Sequence, residues 1–235
     1  MRPEAADSAL PHATASGSAR PDPTGPARFD DAFRAGFDTL LRWRRDVRHF
    51  SPEPLPAPLV EELLDAACLA PSVGNARPWR FVSVDSPDRR AAIGANFAAA
   101  NHAALAGYTG DRARTYATLK LAGLREAPQQ FAVFCEEQPV EGYGLGRATM
   151  PETLRYSAVL AVHTLWLAAR AHGVGVGWVS ILDPVAAAAT LEVPPTWRLV
   201  AYLCLGYPLA ESETPELERL GWQARTGACR EVLRR

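Results

Sequence analysis

The sequence carries two methionines, four cysteines and a formal net charge of -1, and each scarcity removes a class of explanation. Charge so near zero gives no whole-chain attraction to nucleic acid or to a membrane surface. Cys68, Cys135, Cys204 and Cys229 are widely scattered and form no Cys-x-x-Cys pair. A reduced, cytoplasmic protein is therefore expected, with Cys135 and Cys204 serving as small buried hydrophobes in apolar strands. His12, His49, His102, His163 and His172 show no metal-ligand spacing, so no metal site is expected, and His163 reads as a buried helix histidine. No apolar run reaches the roughly 18 residues that span a bilayer. No basic segment followed by an apolar run opens the chain, so no signal peptide is expected. There is no G-x-S-x-G elbow, P-loop or kinase motif set, and no internal repeat. With the usual nucleophile and acid/base templates missing, chemistry here calls for a borrowed cofactor.

What is present is enough for one substantial domain in 235 residues. Residues 1–28 are rich in Ala, Pro, Ser and Gly and bury too little apolar surface to offset ordering, so a disordered tail is expected before a single domain over 29–235. The domain is organised around Thr149 to Ser180. Its first part is apolar almost all round, through Leu154, Val159, Leu160, Val162, Leu165, Trp166 and Leu167, which predicts a helix buried on most sides. Thr149 and Glu152 predict a capping box, and Gly173 suits the left-handed residue that closes the helix. Val174 to Val179 follows as a strand. Further helices are expected over Asp30–Trp43, Pro58–Ala70 and Pro87–Ala100, and a short one from Asp183. Strands are expected over Arg80–Val84, Phe131–Cys135 and Trp197–Leu205. Asn101–Pro128 reads as broken helix with a mobile segment, Glu136–Ala148 as a loop, and the tail beyond Pro208 as extended and partner-wrapping. Helices and strands mix without regular alternation, which favours an α+β fold with a mixed central sheet.

Four features could carry chemistry. Arg42, Arg44, Arg45 and Arg48 form the densest positive charge; such a cluster either grips a phosphate through paired hydrogen bonds or is a solvated helix end. Asp46, inside it, either pairs with an arginine or accepts a proton from a ligand. The Ser72–Trp79 loop offers a hydroxyl, an amide and an arginine, suited to the polar edge of a heterocycle or to a plain connector. Gly173, Gly175 and Gly177 follow a helix and open a strand, the reverse of a dinucleotide fingerprint. They predict close backbone approach, to the core helix or to a flat ligand.

Three stretches together resemble one family: RRDVRHF (Arg44 to Phe50), APSVGNARPWRFV (Ala70 to Val82) and the run from Gly144 to Pro184. They are similar to the flavin-dependent nitroreductase superfamily, over about residues 30 to 225. The longer run, with Tyr116–Pro128, resembles the branch that forms 5,6-dimethylbenzimidazole. Asn75-Ala76-Arg77 departs from that family's more apolar, glutamine-containing pattern.

The resemblance implies an α+β sandwich that dimerises, with FMN sites at the subunit interface and a lid around 101–128. It implies that reduced FMN is a substrate, fragmented with molecular oxygen to 5,6-dimethylbenzimidazole and erythrose 4-phosphate. A separate flavin reductase would supply the reduced FMN, and neither metal, nucleic acid nor membrane is involved. An NAD(P)H-dependent nitroreductase or flavin reductase is the alternative, as is a non-catalytic FMN carrier; ordinary relatives carry Ser where Asp46 stands. Catalytic roles fall on Asp46, for proton transfer, and Ser180, beside the flavin ring. FMN contacts fall on Arg44, Arg45, Asp46, Val47 and Arg48, on Ser72, Val73 and Asn75, on Lys120 and Leu121 in the lid, and on Ser157, Gly177, Trp178, Ser180 and Arg219. Among arginines, Asp46 is expected to stay ionised.

Overall fold

The structure is a computed structural model that describes residues 28–119, 123–225, 227 and 230–235. The expected disordered tail, and Lys120 and Leu121 of the expected lid, lie outside the described residues. No helix among the described residues is long and apolar enough to cross a membrane.

The core is a four-stranded sheet of β1 (Trp79–Ser83), β2 (Gln129–Glu136), β3 (Gly175–Val179) and β4 (Trp197–Gly206), ordered β1-β2-β4-β3. All three pairings are antiparallel. The sheet is mixed only through an isolated parallel bridge, Asp46 to Val176, on the outer edge of β3. The two central strands are covered on both faces, which is why they read as unbroken apolar runs. Phe131, Val133 and Cys135 of β2 and Ala201, Leu203 and Leu205 of β4 point into one core. Ala132 and Phe134 with Tyr202 and Cys204 point into the other.

Helices cover both sides. α1 (Asp31–Trp43) starts one residue later than expected, because Asp30 caps it: its carboxylate accepts from Phe33 N–H at 2.7 Å; the helix buries no residue. α2 (Ala57–Cys68) and α6 (Thr153–Ala171) form the first layer; α3 (Pro87–Leu105) and α7 (Pro184–Thr190) form the second. The region read as broken helix resolves into the end of α3, then α4 (Gly110–Thr118) and α5 (Gly123–Glu126). The tail is not wholly extended, since α8 (Glu216–Arg219) interrupts it.

α6 departs from expectation at its start. It begins at Thr153 with no side-chain cap, so Thr149 and Glu152 make no capping box; Thr153 Oγ1 donates instead to Met150 O at 2.7 Å. Its end is as predicted: Gly173 takes φ +73 and Val174 N–H returns to Ala169 O at 2.8 Å. Leu154, Ala158, Ala161, Val162, Leu165 and Ala169 form a buried stripe at helical spacing. The opposite stripe is bare within one chain: Tyr156, Val159 and Leu160 are 53%, 38% and 42% exposed. His163 lies on that exposed side rather than in the core.

Cys135 and Cys204 are buried, as expected. Burial pushes their thiols up to about 11 and about 12, so they remain protonated and inert at neutral pH. Beneath α5 a buried pair, Tyr202 and Gln130, is fully engaged. Tyr202 Oη donates to Gln130 Oε1 at 2.7 Å and Gln130 Nε2 donates to Leu124 O at 3.1 Å.

Candidate active site

β3 has an edge that β4 does not use, and the arginine segment closes it. Val47 N–H donates to Val176 O at 3.0 Å, and the Trp178 N–H donates to Asp46 Oδ1 at 2.9 Å. Gly175 and Gly177 make this approach possible. A Cβ at Gly175 would sit 2.8 Å from Val47 Cγ2, and one at Gly177 would sit 2.2 Å from the Val47 carbonyl oxygen. The glycines at 175 and 177 therefore make room for Val47.

α6 holds the same segment from behind. Trp166 Nε1 donates to Arg45 O at 3.1 Å, and the Arg44 guanidinium lies 4.9 Å from the Trp166 ring centroid. Trp166 was expected only as core; its indole N–H, which needs a partner when buried, is the signal that could have placed it.

In front of the segment lies a cleft of about 300 Å³, lined by Arg45, Asp46, Val47 and Arg48 and, from the C-terminal segment, Arg219. Five predicted residues thus meet, including Arg219, distant in sequence. The cleft also takes His49, Arg170 and Glu211, which sequence reasoning did not find. Arg170 and Glu211 form an ion pair, and that hydrogen bond holds Glu211 below its ordinary carboxylate range. His49 Nδ1 stands 3.5 Å from Glu126 Oε2 of α5, which also accepts from Phe50 N–H at 3.4 Å.

The cleft is electrostatically unfinished at its arginine end. Arg45 donates through its terminal nitrogens to Arg44 O and Glu213 O, but its Nε is buried with no partner. Burial, then Arg225 and Arg44, depress its pKa. A crowded cation with an orphaned donor is what a bound anion relieves. The phosphate of FMN fits this donor set.

Like Glu211 and Glu216, Asp46 is an acidic residue of the cleft. Its carboxylate is clamped by Trp178 N–H on Oδ1 and by Arg48 Nε on Oδ2 at 3.3 Å. Burial raises its pKa, and the Trp178 N–H and Arg48 only partly offset that. The side chain is 37% exposed and lines the cleft. A carboxyl moved toward neutrality, fixed at both oxygens and open on one side, is suited to take up and return a proton. Ser180, exposed just past the end of β3, lies two residues beyond Trp178, about 7 Å along an extended strand. Ser180 is not among the residues that line the cleft.

The Ser72–Asn75 loop is elsewhere. Ser72, Val73 and Asn75 do not line the cleft. The loop is rigid: Gly74 and Asn75 both take φ +55, Arg77 takes φ +43, and Ser72 Oγ accepts from Arg77 N–H at 3.0 Å. Left-handed non-glycine residues in a fixed loop are strained, and such strain gathers at functional surfaces. Asn75 and Arg77 are exposed. Ser157, expected at FMN, is buried and holds the loop instead: its Oγ accepts from Val73 N–H at 3.0 Å and donates to Thr153 O at 2.7 Å. Ser157 opens α6 and Arg170 closes it, so the halves are separated by about 20 Å of helix.

Residues 41–207 match the Nitroreductase family. The chain is 59% identical over 202 residues to a 5,6-dimethylbenzimidazole synthase of Rhodospirillum rubrum, covering 86% of this chain and 95% of that protein. It is 52% identical over 195 residues to the 5,6-dimethylbenzimidazole synthase of Rhodobacter capsulatus, covering 83% and 94%. Among solved structures, an oxidised iodotyrosine deiodinase bound to FMN and 3-iodo-L-tyrosine matches with a TM-score of 0.65 at 24% identity, over 84% of this chain and 97% of that one. That last likeness is one of fold.

Proposed function

This chain belongs to the nitroreductase family, beside its 5,6-dimethylbenzimidazole synthases, and from that premise we propose that it fragments reduced FMN with molecular oxygen. The products include 5,6-dimethylbenzimidazole and erythrose 4-phosphate, the pyrimidine part of the ring leaves as a separate fragment, and FMN is consumed rather than recycled. The observation that carries this reading is Asp46, a carboxyl of raised pKa held by the Trp178 N–H and Arg48 inside a cleft whose Arg45 keeps a buried, unpartnered N–H.

Reduced FMN supplies the electrons for oxygen chemistry and the carbon skeleton of the product. The chain does the rest. Arg45 and Arg219 hold the phosphate, and Arg48 keeps Asp46 turned toward the ribityl chain. Asp46 takes and returns protons through the open side of its carboxylate. Ser180 offers its hydroxyl from the end of β3. A flavin reductase, as a separate protein, delivers the reduced substrate. The discriminating experiment mixes the purified protein with chemically reduced FMN in air and looks for dimethylbenzimidazole by mass. Its appearance with loss of flavin supports the reading. Steady NAD(P)H consumption with flavin intact supports instead a nitroreductase or flavin reductase.

The separation of the two half-sites supports a homodimer. Two copies of α6 packed antiparallel about a two-fold axis would cover Tyr156, Val159 and Leu160. The same arrangement would carry the Ser72–Asn75 loop of one copy toward the arginine cleft of the other. Leu160→Glu places like charges at that seam. The variant is expected to sediment as a monomer and to lose FMN affinity by more than about tenfold, roughly 1.4 kcal/mol. A variant that stays dimeric with full affinity would remove α6 from the interface.

A further inference from the structure

The C-terminal segment enters the site from two directions. Through α8 it lines the cleft with Glu216, Arg219 and Leu220, and Arg45 donates to the Glu213 carbonyl just before it. Past Arg219 the backbone turns at Gly221, φ +71, and Trp222 N–H closes on Leu217 O at 2.8 Å. That turn carries Trp222 away from the cleft and onto α4. Its ring meets Tyr108 edge-on with centroids 5.4 Å apart and Tyr116 at 6.0 Å. The Arg112 guanidinium lies 5.1 Å from the same ring centroid and donates to the Trp222 carbonyl. Tyr108 and Tyr116 stack on each other at 4.8 Å, and Tyr116 Oη donates to Asn101 Oδ1 of α3 at 2.8 Å.

Few of the described side chains of α4 are buried. Among its described side chains only Tyr116 is buried, while Asp111, Arg112 and Arg114 are exposed. A short helix with so small an apolar face does not stay docked by its own propensity. The aromatic cluster around Trp222 is the main apolar attachment the described residues offer it.

We propose that Trp222 is a positioning residue that clasps α4 to the C-terminal segment and thereby ties the placement of α4 to occupation of the anion-binding end of the cleft. The inference rests on the reading of that cleft as the FMN site. An anion that fixes Arg45 and Arg219 fixes α8, α8 fixes Trp222, and Trp222 fixes α4. The tie is reciprocal: a docked α4 favours bound flavin by the same factor by which bound flavin favours a docked α4.

Hydrogen exchange on the full-length protein, without ligand and with oxidised FMN, tests this in wild type, Trp222→Ala and Trp222→Phe. Without ligand, α4 amides in Trp222→Ala are expected to exchange about tenfold faster, the loss of an aromatic contact and a cation–π contact together. Trp222→Phe keeps an aromatic ring and restores most of the protection, and β2 and β4 are unaffected in both. With FMN, wild-type α4 slows further, whereas α4 in Trp222→Ala does not, and the FMN Kd of that variant rises about tenfold. Equal ligand-free exchange of α4 in wild type and Trp222→Ala overturns the clasp, whatever the cleft binds. Equal FMN-induced protection in both overturns the tie. A wild-type protein that binds no FMN overturns the reading of the cleft and the tie with it, while the ligand-free comparison still decides whether Trp222 docks α4.

Discussion

Asp46→Asn is expected to keep FMN bound and to lower product formation by about 10²–10⁴-fold, the span a well-placed proton donor or acceptor contributes. Asparagine retains an oxygen to accept the Trp178 N–H, now at 2.9 Å from Asp46, so the sheet edge stays closed. What disappears is a group that can gain and lose a proton. Burial raises the Asp46 pKa, so the wild-type rate should show an acid limb centred above the ordinary carboxylate value of about 4. That limb should be absent in the variant. The sign for stability is the opposite. Because the folded-state pKa is raised, the folded protein binds more protons than the unfolded chain between the two values. This group therefore favours folding at low pH, and its contribution fades as pH rises through the folded value. Rates across pH measure the first effect, and denaturant unfolding across pH measures the second. Unchanged turnover would remove the carboxylate from the reaction.

Gly177→Ala is expected to have the largest structural effect of any single methyl group added to the site. The new Cβ would stand 2.2 Å from the Val47 carbonyl oxygen, a backbone atom with no rotamer to escape into. Either β3 or the arginine segment must move, breaking the Val47–Val176 hydrogen bond at 3.0 Å and the Asp46 clamp. Overpacking of this kind costs about 1–3 kcal/mol, and FMN binding should fall below detection because Arg45, Asp46 and Arg48 shift together. Gly94→Ala, in α3 with nothing within 4 Å of its added Cβ, is the control. It should raise stability by about 0.5–1 kcal/mol. Denaturant unfolding and flavin titration distinguish the two; a Gly177→Ala protein with wild-type affinity would show that the fit at Val47 is slack.

The parts of this fold that were legible in the sequence are those decided locally. The helix from Asp30, the stop at Gly173 and the two central strands follow from caps, glycine and apolar runs. The arginine cluster was legible as a candidate phosphate grip, and its tie to flavin came from the motif resemblance. What escaped depends on neighbours distant in the chain. The Gly175 and Gly177 pattern signalled a close approach but could not say that Val47 makes it. The arginines around Asp46 were visible in the sequence, but the burial that raises its pKa was not. Trp166 and Trp222 read as apolar mass, yet one holds Arg45 and the other meets Arg112. The all-round apolar surface of α6 predicted burial on most sides, but one chain covers only one side of it. Ser157 was assigned to FMN because the motif contains it, although its hydroxyl is already committed to Val73 and Thr153.

The most direct test of the account is a crystal structure of the protein with FMN. The account predicts the phosphate within hydrogen-bonding distance of the Arg45 Nε that now lacks a partner, with Arg219 beside it and the flavin reaching past the Asp46 carboxylate toward Ser180. FMN bound elsewhere, or a phosphate that leaves Arg45 Nε unpaired and Asp46 out of reach, would contradict it.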